Sequence, residues 1–167
     1  MNKKFDVCVR GGGVVGQTLA LLLARDRLRV ALVRQPSPAG ALGDIRAYAL
    51  NAASRSLLQG LRVWPDDTAA TPVAAMQVVD DDDGAPHDAA VRFDPTDATG
   101  DALAWIVDVP VLEQRPREAV GYQGGIEVLH SADGVDAALT VVCEGKRSSS
   151  RAAFGFEFDT RPYPHTA

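Results

Sequence analysis

Gly11, Gly13 and Gly16 stand at G-x-G-x-x-G spacing within "VRGGGVVGQ". That spacing suits one task, holding a diphosphate with main chain alone. The first glycine permits a tight turn after a strand, the second lets backbone approach a pyrophosphate, and the third lets the next helix pack close on a sheet. The phosphates would meet unbonded N–H groups and the positive end of the helix macrodipole. The candidate ligand residues are Gly11, Gly12, Gly13, Val14, Val15 and Gly16. The pattern alone is weak, because a plain structural turn can carry it too. It gains weight only with a strand before it, a helix after it and a second strand at the right distance.

Those elements can be read from the flanking residues. "FDVCV", residues 5–9, is valine-rich without helical period and predicts a short buried strand. Val15, Leu19, Leu22 and Leu23 fall on one helical face. Ala20, Leu21 and Ala24 make that helix apolar nearly all round, so more than one side should be covered. "RVALVR" predicts a second strand, apolar enough to be central in a parallel sheet. One expected part is missing. The second strand should end in an acid that accepts hydrogen bonds from the ribose hydroxyls. Arg34 and Gln35 stand there instead. A guanidinium only donates, whereas the Gln35 amide oxygen can accept. Arg34 suits a 2′-phosphate, which keeps an NAD(P)-dependent Rossmann oxidoreductase as an alternative.

Further along, "QPSPAGALGDI" reads as a loop, and Asn51 as the N-cap of a helix that turns Leu57, Leu58 and Leu61 inward. "VAAMQVV" and "AVRF" predict a hairpin joined across "DDDDGAP". Asp108 and Pro110 open another helix candidate. Within it Pro116 takes an inward position, where a proline costs about 3 kcal/mol and implies a kink. "IEVLH" and "LTVVC" read as strands, "EGKRSSSR" as a polar loop, and "FGFEFDT" as a last strand.

Composition narrows the function classes. At 167 residues the chain is read as one domain, 1–167, able to bury a core. Its net charge of −5 argues against a nucleic-acid surface and against a polybasic membrane patch. Cys8 and Cys143 read as buried thiols in strands rather than a disulfide, which suits a reducing cytoplasm. Asp6 and Arg10 interrupt any signal-like apolar run after Lys3 and Lys4, and "TLALLLA" is too short to span a bilayer. Asp80–Asp83 with Gly84 misses the calcium-loop pattern, and reads as a solvated hairpin tip. His87, His130 and His165 show no metal spacing, and Ser148–Ser150 lack a nucleophile elbow. Trp64 and Trp105 read as packing residues.

Four stretches taken together resemble one family: "DVCVRGGGVVGQTLALLLA", "DIRAYALNAASRSLL", "LAWIVDVPVLE" and "LTVVCEGKRSSSRAAFGFEFDTRPYPHTA". Their order and spacing, over almost the whole chain, resemble the FAD-dependent aromatic hydroxylases of ubiquinone biosynthesis, relatives of para-hydroxybenzoate hydroxylase. The resemblance implies a role for particular residues. Gly11, Gly13 and Gly16 match the ADP-binding loop. Arg46 in "DIRAYAL" matches an arginine near the flavin and its phosphates, against the plain alternative of a solvated arginine at a helix end. Glu144, Gly145 and Ser148, with Arg151, match a second fingerprint that touches the cofactor. Glu144 stands where aspartate is commoner, and a polar strand-to-helix turn is the competing reading of that stretch. Arg10, before the loop, is unusual at the end of a buried strand.

The implied fold is α/β: a glutathione-reductase-like, FAD-binding Rossmann-type fold with a parallel sheet and an added β-hairpin region, truncated before the substrate sheet. The implied cofactor is FAD, with NAD(P)H as co-substrate and an aromatic small molecule, a ubiquinone precursor, as substrate. The flavin carries the chemistry and the protein positions substrate and excludes water, so no catalytic side chain is singled out. No metal and no nucleic acid are expected. The expected place is the cytoplasm or the inner face of the membrane, since a lipid-tailed substrate would favour peripheral contact or a multienzyme ubiquinone-synthesis complex. The family's third fingerprint, a Gly-Asp segment, would fall after "YPHTA". The chain is therefore expected to be an N-terminal portion with impaired turnover, and a non-catalytic nucleotide-binding module is the other alternative.

Overall fold

The structure is a computed structural model that describes residues 4–35, 45–78, 91–96, 100–157, 159 and 161. In chain order the elements begin with β1 (Lys4–Arg10), α1 (Val14–Arg25), β2 (Val30–Val33), β3 (Ala47–Leu50) and α2 (Ala52–Gly60). Next come β4 (Ala70–Val73), β5 (Met76–Val78), β6 (Val91–Phe93), β7 (Ala104–Asp108) and α3 (Val109–Tyr122). The last are β8 (Ile126–Leu129), β9 (Asp136–Val142) and the short α4 (Ser150–Ala153). The chain divides into two compact units, one made of residues 1–36 and 124–167, the other of residues 37–123.

The first unit holds a four-stranded sheet in the order β8-β2-β1-β9, every pairing parallel. β1 and β2 lie in the middle, with Cys8 paired to Ala31 on one side and to Thr140 on the other. Central parallel strands are covered on both faces and so read as unbroken apolar runs. Val7, Cys8, Val9 and all four residues of β2 are buried accordingly. β9 is an edge strand, and its Leu139 is exposed. Phe5, Cys8, Ala31 and Val33 form a core cluster against which Leu129, Ala132, Val135 and Ala137 pack.

α1 buries a different face from the expected one. Gly16, Gln17, Ala20, Leu21 and Ala24 are buried, whereas Val15 is 65% exposed and Leu19, Leu22 and Leu23 are half-buried. Gly16, Ala20 and Ala24 recur every four residues, and a ridge of such small side chains lets a helix pack closely. Close approach, not leucine count, selects the inward face.

The second unit is antiparallel. β7 lies between β3 and β4, with Ile106 opposite Ala49 and Thr71. Pro72 sits in β4, at the edge of that sheet, where a missing N–H can be tolerated. Trp105 of β7 meets Trp64 edge-on, with centroids 6.5 Å apart at 87°. The Arg55 guanidinium lies 4.4 Å over the Trp105 ring, an arrangement that attracts a cation to the ring face. β5 and β6 form the expected hairpin, with Gln77 opposite Arg92. Its acidic tip, Asp80–Gly84, and His87 lie outside the described residues, as do most of "QPSPAGALGDI" and His165.

Asn51 does cap α2, its Oδ1 accepting the Ser54 N–H at 2.9 Å. Of the three leucines expected inside, Leu58 is buried and Leu57 is exposed. The short strands β3, β4 and β7 were not anticipated, because four or five residues carry too little period to announce themselves. The last expected strand is absent over residues 154–157. α4 stands just before them, and Gly155 at φ +77° ends it in a left-handed turn, with the Phe156 N–H on the Arg151 carbonyl at 3.0 Å.

Pro116 lies inside α3 without ending it, and is fully buried beside Val109, Leu112 and Val120 along one face. Its ring fills core but gives Leu112 no N–H to bond. A mid-helix proline costs about 3 kcal/mol, and truncating its ring to a methyl forfeits about 2 kcal/mol of packing. Pro116→Ala is therefore expected to stabilise the chain by about 1 kcal/mol, a rise of a few degrees in Tm. A lower Tm by calorimetry would show that ring packing outweighs the helix penalty.

Candidate functional site

The carboxyl ends of β1, β2, β8 and β9 point the same way, since the sheet is parallel. From β1 the chain runs one way through the sheet to β2 and β8, while β9 lies on its other side. Such a switch point leaves a crevice beyond the strand ends, where open α/β sheets bind their ligands. Gly11–Gly13 follow β1, Arg34 and Gln35 follow β2, and Cys143–Gly145 follow β9. The first unit thus gathers eleven of the twelve predicted ligand residues: Gly11, Gly12, Gly13, Val14, Val15, Gly16, Arg34, Gln35, Glu144, Gly145 and Ser148. Arg46 belongs to the second unit, where its carbonyl accepts the Val109 N–H at 2.9 Å just before β3.

Two of the glycines are required by close backbone approach. Gly11 has φ +124°, and a Cβ there would collide with the Cys143 carbonyl. A Cβ on Gly16 would collide with the Gly11 carbonyl oxygen. A Cβ on Gly12 would press on the Arg34 stem, within 2.6 Å of its Cβ and 2.7 Å of its Cδ. Arg34 therefore lies directly against the glycine loop. Gly13 is the N-cap of α1 and brings no capping side chain. The first helical bond runs from the Gln17 N–H to the Gly13 carbonyl at 3.0 Å. The N–H groups of Val14, Val15 and Gly16 consequently stand outside the helical ladder. No acidic side chain occupies the first turn, so nothing there competes with an anion for the dipole.

Glu144 is already engaged by neighbours. Its carboxylate accepts Ser148 Oγ–H at 2.8 Å, Ser150 Oγ–H at 2.6 Å and the Ser150 N–H at 3.1 Å. Arg10 Nε lies 3.7 Å from Glu144 Oε1. Burial pushes the Glu144 carboxyl up, but the bonds from Ser150 and Ser148 and the charge of Arg10 outweigh it and hold it below its usual range. Arg10, flagged as odd in the sequence, is thereby explained: it ends β1 against this acid, with its guanidinium 5.9 Å from the Phe154 ring. Ser150, buried, completes the cluster, and sequence reading passed over it. Gly145 takes φ +69° in the turn beside it. Arg151 donates to the Lys146 carbonyl. Cys8 is buried, whereas Cys143 lies one residue past β9 and is only partly covered; burial raises both thiols, Arg10 partly offsetting this for Cys8.

Two features sit apart from the loop. Gln17, fully buried in α1, donates from Nε2 to the Gly12 carbonyl at 2.6 Å. Its only sequence signal was an amide amid alanines and leucines. In the second unit a groove of about 370 Å³ is lined by Asp66, Thr68, Val111 and Arg115 among others. It holds none of the predicted residues, and an Arg115–Asp66 ion pair at 2.6 Å occupies its wall. Among the described residues no His, Cys, Asp and Glu cluster could hold a metal, and no helix is long and apolar enough to cross a membrane.

No protein-family model matches the chain. The uncharacterised protein slr1300 of Synechocystis sp. is 27% identical over 179 residues, 93% of this chain and 42% of that protein. The 3-demethoxyubiquinol 3-hydroxylase of Escherichia coli is 40% identical over 67 residues, 38% of this chain and 17% of the enzyme. PqsL of Pseudomonas aeruginosa, a probable FAD-dependent monooxygenase, superposes with a TM-score of 0.73 at 21% identity, over 97% of this chain and 48% of PqsL. The p-nitrophenol 4-monooxygenase PnpA of Pseudomonas putida gives 0.69 at 17% identity, over 95% and 45% of the two chains. PieE, a flavin-dependent monooxygenase solved with FAD and substrate, gives 0.64 at 20% identity, over 94% and 33%. The fold is therefore the α/β fold of FAD-dependent monooxygenases. The chain spans less than half the length of the relatives it matches.

Gly16→Ala is expected to cost about 3 kcal/mol or more, because only backbone could move to admit the methyl; chemical denaturation matching wild type would show a looser loop. Glu144 makes a separate, pH-dependent prediction. A lowered folded pKa means stability present above the unfolded value, near 4.3, and lost as pH falls through the folded one. Wild type should exceed Glu144→Gln in stability at pH 7, and the gap should close below about pH 4. A gap that stays constant from pH 7 to pH 3 would remove the charged role of Glu144.

Proposed function

We propose that this chain supplies the FAD-binding part of a flavin-dependent monooxygenase that hydroxylates an aromatic ring with NAD(P)H and dioxygen. One observation carries the reading: the uncapped start of α1 follows a glycine turn at the switch point of a parallel sheet, within a fold shared over nearly the whole chain with FAD-dependent monooxygenases. The partial likeness to 3-demethoxyubiquinol 3-hydroxylase supports a ubiquinone precursor as the ring.

The residues fit the diphosphate of FAD. Gly11 and Gly16 let the turn close on backbone where a Cβ would collide, and the amides of Gly13, Val14 and Val15 open α1 without a competing cap. Arg34 brings a permanent positive charge to the same loop. Gln35 offers an uncharged acceptor for the ribose. Glu144, Gly145 and Ser148 hold the far wall, with Glu144 acting through Arg10 and Ser150 rather than as a free ligand. Bound flavin would supply the redox chemistry, while the protein holds the ring and keeps water out. A lipid-tailed substrate would draw the protein to the inner face of the membrane or into a multienzyme complex.

Arg34 against Gly12 favours a second reading, a nicotinamide dinucleotide with a 2′-phosphate at the same glycine turn. Titration separates the two. The purified chain is expected to carry or take up FAD, seen as flavin absorbance and quenched fluorescence, with micromolar or tighter affinity. Binding of NADPH but not FAD would establish the second reading, and binding of neither would overturn both.

A further inference from the structure

We infer that Gln17 is the positioning residue that aims the glycine loop's amides at the diphosphate. The inference rests on the nucleotide-binding reading above. Gln17 grips two successive peptides at once. Its backbone N–H bonds the Gly13 carbonyl at 3.0 Å, and its side-chain Nε2 bonds the Gly12 carbonyl at 2.6 Å. A carbonyl only accepts, so the amide nitrogen must face Gly12. The Gly12–Gly13 peptide is trans, as are all others described. Carbonyl and N–H project to opposite sides of a trans peptide. Drawing the Gly12 carbonyl inward onto the buried Gln17 therefore turns the Gly13 N–H outward, to the mouth of α1.

Without this hold the loop would lose its aim. Glycines have the widest choice of backbone angles, and no side chain caps α1 at Gly13. Arg34 restrains Gly12 through its stem alone, by contact. Gln17 is the directional restraint. Its cost is visible: the residue is fully buried, and Oε1 has no hydrogen-bond partner among the described residues. A leucine would fill the same place beside Ala20 and Leu21 with no amide oxygen to strand, but it would take from the Gly12 carbonyl the donor it now has. An amide kept there at a penalty points to what its other end does.

Gln17→Leu in the 167-residue chain tests this against FAD and, separately, ADP. The expected result is about tenfold weaker binding of both ligands by the folded protein, with only a small change in Tm because an unpaired Oε1 is traded for an unpaired Gly12 carbonyl. A residue that merely supported the fold would lower Tm and leave the affinity of folded protein alone. Wild-type affinity in Gln17→Leu would overturn the inference while leaving the nucleotide site standing. Wild-type protein that binds neither ligand would instead overturn the site itself. Should Gln17→Leu not fold, nuclear magnetic resonance of the wild type decides. The Gln17 side-chain amide hydrogens should exchange far more slowly than those of exposed Gln59, and ADP should shift the Gly13 amide signal. Fast exchange at Gln17 would overturn the inference.

Discussion

The approach of Gly16 to the carbonyl of Gly11 is the constraint on which the corner between β1, β9 and α1 depends. α1 can begin immediately after β1 only if the chain reverses within a few residues. It can then lie close over the sheet only if nothing projects between its first turn and the end of the strand. Gly16 removes the projection, Gly11 adopts the φ of +124° that the reversal demands, and Cys143 closes the third side with its carbonyl. The Gly11 N–H completes the corner by bonding the Val33 carbonyl at 2.9 Å. Three strand ends are thus fixed relative to one helix start by main-chain contacts. Main chain is what a diphosphate can approach most closely, so the proposed ligand would call on the same atoms as the fold.

Charge at this corner would let the acid stand near the proposed phosphate without opposing it. A free carboxylate beside a diphosphate would repel it. Glu144 instead has its oxygens taken up by Ser148, Ser150 and Arg10. The same bonds tie the end of β1 to the start of α4, a helix too short to hold its place by its own hydrogen bonds. Both partners are largely covered, with side chains 28% and 19% exposed, so the pair is less screened than a surface ion pair. Removing Arg10 alone would take away the cation but leave the carboxylate held by Ser148 and Ser150.

How much of this could be read beforehand follows from where the information lies. The βαβ unit was legible because β1 and β2 are continuous apolar runs and the glycines mark the turn between strand and helix. Asn51 announced α2 through a local hydrogen bond to Ser54, which needs only three residues of sequence. The inward face of α1 was misread, because leucine content suggested one side while Gly16, Ala20 and Ala24 allowed the other to come closer. β3, β4 and β7 stayed hidden because their pairing is tertiary: nothing within "AYAL" or "AWIVD" says that they will meet. The candidate ligands were legible as a loop. The partners that set their geometry, Gln17 and Ser150, were not, since a glutamine or a serine looks ordinary until its burial is known.

On the proposed nucleotide reading, Arg34 bears on what kind of recognition the glycine loop would exercise. A carboxylate at the end of β2 would grip ribose hydroxyls with charge-assisted bonds of about 1.5–3 kcal/mol. No such acceptor is present, and Gln35 is exposed. What remains is directed at phosphate: free amides, a helix dipole worth about 0.3–1 kcal/mol, and a guanidinium whose stem lies on Gly12. Every dinucleotide offers a diphosphate, so these contacts give affinity with little choice among cofactors. Selection between a flavin and a nicotinamide must then come from the far end of the nucleotide, where the ring differs, rather than from the loop that holds its middle. That division would place affinity in the first unit's backbone and leave specificity to the residues that meet the ring.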